Sequence, residues 1–166
     1  IGFSSAACGG DILFIEAMLD RNAEIHIVLP FDQDDFIKTS VAHAGPSWVT
    51  RFKRVLRLAD SIKYITREPY MGDDALFDFA GQVIAGHTFL RSAYLGNSPY
   101  LVALADPGAS ARTGGTRDVI DKWPEKDNCR VIDITTLGSR PSTPAGQQSR
   151  EIINGNNRDS TALTYT

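Results

Sequence analysis

Cysteine is scarce in this chain: Cys8 and Cys129 are the only two in 166 residues. Two lone thiols do not make a disulfide framework and read as reduced packing residues of an intracellular protein. Long apolar runs are missing too, since none approaches the roughly 20 residues that a membrane helix needs. There is no secretory leader pattern and no Asn-x-Ser/Thr acceptor. Excess basic charge is also absent: 17 Lys and Arg stand against 20 Asp and Glu, a net charge of −3. That excludes a general nucleic-acid binder, which would carry a basic face. Histidine is limited to His26, His43 and His87, none at a metal-ligand spacing with Cys, Asp or Glu, so no metal and no resident cofactor is expected. No internal repeat is visible. These absences predict a cytoplasmic domain that touches no membrane.

What is present is enough apolar material, 42% of the residues, for a single core of ordinary size. The chain opens on Ile1 within an element already under way, so a preceding segment is expected. Residues 1–4 read as the end of a strand. Residues 9–22 read as a helix so apolar (Ile12, Leu13, Phe14, Ile15, Ala17, Met18, Leu19) that most of its sides should be buried. "EIHIVLP" is a strand of near-continuous apolar residues, the pattern of a central strand covered on both faces. A short helix follows, with Asp32 or Asp34 as its cap. "GPSWVTRFKRVLRLAD" is an amphipathic helix and "SIKYIT" a strand. "DDALFDFAGQVIAGHTFLRSAYLG" is a long helix that Asp73 or Asp74 caps and Gly96 ends. "PYLVALAD" is a strand of the buried type, "GGTRDVIDKW" a helix stopped by Pro124, and "CRVIDI" the last strand. Residues 138–166, rich in Gly, Pro, Ser, Asn and Thr, read as a linker or disordered tail.

Regular alternation of strand and helix demands parallel strands, because each crossover takes a dozen or more residues. The expected fold is α/β, a three-layer Rossmann-like sandwich over residues 1–137 with a mainly parallel sheet. In such sheets ligands lie beyond the carboxyl ends of the strands. Two loops fall there. The first, "SSAACGGD", offers Ser4, Ser5, Gly9, Gly10 and Asp11 at a strand end and helix start. Small residues let a phosphate or sugar approach the backbone, and the helix dipole favours negative charge. Asp11 opposes a bare phosphate and suits a ribose hydroxyl. The other reading of the same residues is tight helix-to-strand packing with Asp11 in the first helical turn. The second loop offers Gly114, Gly115 and Thr116, with Arg112 or Arg117 able to pair with an anion. Together the loops could grip both ends of a nucleotide-like molecule.

The opening stretch through "EIHIVLP" resembles the S-G-x-A-x-G-I-D pattern, helix and strand of the DprA/SMF Rossmann-like proteins. Ser4, Ala7, Gly9 and Asp11 fall on matching positions, and Ser5 replaces the family's glycine. "GGT" is similar to the P-G-G-x-G-T-x-x-E loop of LOG-type phosphoribohydrolases, which belong with DprA/SMF to the SLOG superfamily. A closer match is that of "ACGGDILFIEAMLDRNAEIHIVLPF", "DDFIKTSVAHAGPSWVTRFKRVL", "EPYMGDDALFDFA" and "GGTRDVIDKW", which resemble SLOG domains that precede nucleotide cyclase or tetratricopeptide-repeat regions in bacterial signalling proteins. It implies a regulatory module that binds a nucleotide or nucleotide-derived ligand and adjoins a cyclase or repeat domain; a homo-oligomer stays open. LOG enzymes carry a glutamate three residues after the loop Thr, where this chain has Val119. The alternatives are an N-glycosidase acting on a nucleotide, with Glu16 as the sharpest catalytic candidate or an acid at 73 or 74, and a vestigial interaction domain.

Overall fold

A computed structural model describes residues 1–106, 108 and 113–136. Strand β1 (Gly2–Ser4) leads through the first glycine loop into helix α1 (Gly10–Leu19), and then comes strand β2 (Ile25–Leu29). Pro30 directly follows β2; it has no N–H to offer and ends the ladder there. Helix α2 (Gln33–Ser40) starts at Asp32, whose Oδ1 accepts from the N–H groups of Asp34 (2.9 Å) and Asp35 (3.3 Å). Helix α3 (Pro46–Leu58) has proline in its first turn, where no intrahelical N–H is required. After strand β3 (Ser61–Tyr64) comes helix α4 (Ala75–Leu95). Asp74 holds its cap position, but it is Asp73 Oδ1 that accepts from the Ala75 N–H, at 2.8 Å. Gly96, with φ +65°, closes this helix in the left-handed conformation. Strand β4 (Leu101–Ala105), helix α5 (Thr116–Lys122) and strand β5 (Cys129–Asp133) complete the set. Helix α5 ends at Lys122, directly before the Trp123-Pro124 pair, and Trp123 is extended as the restriction before proline requires.

Every strand pair is parallel. The strands form two small sheets, β1-β2-β3 and β4-β5. In the first, Phe3, His26 and Ser61 fall in one register row. The core lies on one face of this sheet: Ile25, Ile27 and Leu29 of β2 pack with Ile12 and Ile15 of α1 and with Phe52, Val55 and Leu56 of α3. Phe31, just past β2, is fully buried; it stacks on Tyr70 (4.7 Å between ring centroids) and meets Phe77 edge-on (5.2 Å). This aromatic cluster anchors the start of α4 against the core.

Helix α1 is covered on most sides, with Ile12 and Ile15 buried, Phe14, Met18 and Leu19 packed against the core, and Leu13 exposed. One burial expectation needs correction. Strand β4 is not covered on both faces. Only Ala103 is buried, while Val102 of β4 and Val131 and Ile132 of β5 are exposed. The reason is the split of the strands: among the described residues β4 pairs only with β5, and the helix packed on it, α5, has seven residues. The expected tail, residues 138–166, lies outside the described residues.

Candidate functional site

The two glycine loops meet at one cavity. It has a volume of about 440 Å³ and runs between β1 and β4, the facing strands of the two sheets. Phe3, Ser4 and Ser5 line it from the β1 side, and Leu101–Leu104 line it from β4. Phe77, Gly81, Ile84 and Thr88 of α4 close it; their spacing of four, three and four residues makes one helical stripe.

The first loop turns sharply inside the core. Ala6 is fully buried with φ +64°, a left-handed conformation rare for a residue with a β-carbon. Its neighbours hold it there: the Ala7 N–H donates to Asp11 Oδ2 (3.1 Å) and the Cys8 N–H donates to the Ser40 carbonyl (2.9 Å). Gly10 starts α1 beside the second sheet, where a β-carbon would make ordinary contact with Leu104 Cβ at 3.4 Å. In the second loop, the Gly114 N–H donates to Asp118 Oδ2 at 3.0 Å. The two loops thus share one device, a loop amide bound by the aspartate four residues on, in the first turn of the next helix. Gly114 has φ +69°, and an added β-carbon would lie 2.5 Å from the Asp78 nitrogen of α4. Lys122 Nζ fastens the same junction by donating to Asp78 Oδ1 (2.6 Å) and Asp118 Oδ2 (2.8 Å).

Among the described residues the cavity lining contains no lysine, arginine or histidine, and its one acid is Asp11. Burial pushes the Asp11 carboxyl above its ordinary value, against the pull of the Ala7 N–H and the Ser4 hydroxyl. Asp118 is held below the usual carboxylate range, first by Lys122 and then by the Gly114 N–H. The lining therefore favours polar, uncharged groups over a bare polyphosphate. Trp123 also lines the cavity. It is 4% exposed, and its Nε1 is buried with no hydrogen-bond partner among the described residues. An orphaned indole N–H costs on the order of 1–3 kcal/mol. Cys8 Sγ lies 3.2 Å from His43 Nε2 at the same cavity. Burial and the Asp11 charge push that thiol up, so it is kept protonated and suits packing rather than nucleophilic attack.

No protein-family model matches the chain, and no curated protein matches it. The site is therefore read from its own residues. Of the expected ligand residues, Ser4, Ser5, Gly10, Asp11, Gly114, Gly115 and Thr116 line the cavity; Gly9, with φ +91°, does not. Glu16 is not brought to it. Its carboxylate is held by Arg51, through Nε at 3.0 Å and through Nη2, with Arg54 at 3.9 Å, and the Arg51 hydrogen bond lowers its pKa. Asp73 bonds the Ala75 N–H and Asp74 Oδ1 accepts from the Tyr70 hydroxyl at 3.3 Å; neither lines the cavity. Val119 does line it, where the LOG resemblance puts a glutamate. Arg112 lies outside the described residues, and Arg117 pairs with Asp121. His87 is half-buried beside Lys63. Sequence reasoning missed Trp123 and the α4 stripe. The stripe was visible as Phe77, Gly81, Ile84 and Thr88; the orphaned N–H had no sequence signal.

Proposed function

We propose that this domain is a Rossmann-like, three-layer binding module for a nucleotide-derived small molecule, seated between the two glycine loops. The observation that carries the reading is the one cavity lined by Ser4, Ser5, Ala7, Gly10 and Asp11 together with Gly114, Gly115 and Thr116, with Trp123, whose Nε1 has no partner among the described residues, beside them. Asp11 would take a ribose hydroxyl, and Trp123 would donate to a base or sugar acceptor. Aliphatic and aromatic walls from Phe77, Ile84 and Leu101 would flank a flat ring. Any phosphate would lie at the loop amides, away from the uncharged interior. The resemblance to SLOG domains points the same way and suggests that occupancy is reported to an adjoining domain.

Binding is favoured over glycosidic cleavage because Glu16 is spent on Arg51 and Val119 supplies no acid. A thermal-shift panel of adenosine, AMP, NAD and cyclic dinucleotides tests this. A ligand at 100 times its dissociation constant should raise stability by about 2.7 kcal/mol and be recovered intact. Release of free base would instead support the enzyme. A panel without any shift would leave the cavity vestigial.

A further inference from the structure

A second cavity, of about 380 Å³, lies over the other face of the first sheet, under the carboxyl-terminal half of α4. Three of its lining side chains form a continuous hydrogen-bonded chain. His26 Nε2 lies 2.8 Å from Glu24 Oε1, and His26 Nδ1 lies 2.7 Å from Ser61 Oγ. The backbone explains the meeting: His26 and Ser61 are register partners in β2 and β3, and Glu24, two residues before His26, shares its face. With the Nε2 proton donated to Glu24, Nδ1 is the acceptor left for the Ser61 hydroxyl. The Phe3 ring stacks on the imidazole, 4.9 Å between centroids, and fixes its plane. Arg91 Nη2 holds the second carboxylate oxygen of Glu24 at 3.2 Å. Lys63, the next residue on the Ser61 side of β3, donates through Nζ to His87 Nε2 at 3.1 Å. Burial first, and then the neighbouring Lys63, lower the His87 pKa, which favours the neutral imidazole as the acceptor.

We propose that Ser61, His26 and Glu24 form a hydrolytic site for small carboxylic esters, separate from the cavity between the glycine loops. Ser61 Oγ attacks the ester carbonyl while its proton passes to His26 Nδ1, and the carbonyl oxygen takes the electron pair beside the Lys63 ammonium. The carbon–alkoxy bond then breaks, and the alcohol leaves with the proton from His26. Water next gives a proton to His26 and attacks the acyl carbon. The acyl–Oγ bond breaks, Ser61 recovers its proton, and the free acid departs. Glu24 is a positioning residue that keeps the imidazole in the tautomer the step needs. Leu90 and the exposed Tyr94 give the acyl group an apolar flank.

The test is reaction of the whole chain with an alkyl fluorophosphonate, which bonds phosphorus to a nucleophilic serine oxygen and releases fluoride, followed by peptide mass spectrometry. The expected result is an adduct on Ser61, none there in Ser61→Ala, and labelling about a hundredfold slower in His26→Gln. In Glu24→Gln the maximal labelling rate should fall about tenfold while the half-saturating reagent concentration stays unchanged, the split expected of a group that positions the base rather than one that holds the reagent. Hydrolysis of p-nitrophenyl acetate should follow the same order of variants. No adduct on Ser61 of the native chain, or equal rates with and without His26, would overturn the proposal.

Discussion

Two carboxylates on the same helix respond to pH in opposite directions. Burial raises the Asp11 pKa, so the folded state holds that proton more tightly than the unfolded chain does. Its contribution is complete below the unfolded value and is lost as pH rises through the raised one. Asp11→Asn should therefore melt above the native chain at pH 8, and the gap should shrink toward pH 4 in melting curves. Arg51 lowers the Glu16 pKa, so the Glu16 contribution is present above its unfolded value and fades as pH falls through the lowered one. Glu16→Gln should cost about 1 kcal/mol at pH 7 in denaturant unfolding, and less near pH 3. It should leave the thermal shift proposed for a nucleotide unchanged, because Glu16 does not line the cavity. At this scale the sequence was half legible. Small residues before an apolar helix disclosed the first loop and Asp11. The partner of Glu16 lies 35 positions away on α3, and no local pattern encodes that distance.

Elements were the most legible level, because caps and breakers act within a few residues. Asp32, Pro30, Gly96 and Pro124 each end or begin an element where their chemistry demands it. Asp32→Ala removes the acceptor for two amides of α2 and should cost about 1 kcal/mol of unfolding free energy. Gly114→Ala is the sharper change, since it combines a left-handed φ with a β-carbon driven into the α4 backbone at Phe77 and Asp78. A loss of about 1–3 kcal/mol is expected, with faster hydrogen exchange at α5 and the first turn of α4. Burial was less legible than type. The apolar run of β4 matches the pattern of a doubly covered strand, yet Val102 is exposed. The pattern records a preference for burial, while the actual cover depends on which helices reach the strand.

At the scale of the molecule, two small parallel sheets stand on either side of a cavity, and the loops that follow β1 and β4 both open into it. Alternating strands and helices made the parallel pairing legible. The gap between β1 and β4 was not, because it arises from packing between segments about 100 residues apart. Among the described residues no helix is long and apolar enough to cross a membrane, and no group of three His, Cys, Asp or Glu is placed to hold a metal. Trp123→Phe separates binding from folding. It removes the orphaned N–H and some ring packing against Phe89, opposing terms that should leave the ligand-free stability within about 1 kcal/mol. The thermal shift given by a nucleotide should fall at the same time. The most direct measurement is an amide and indole chemical-shift titration with adenosine, AMP and NAD. The account predicts that Ser5, Ala7, Gly10, Gly115, Thr116 and the Trp123 indole N–H move together along one binding curve. Movement of one loop alone, or a Trp123 indole signal that stays fixed at saturation, would contradict it.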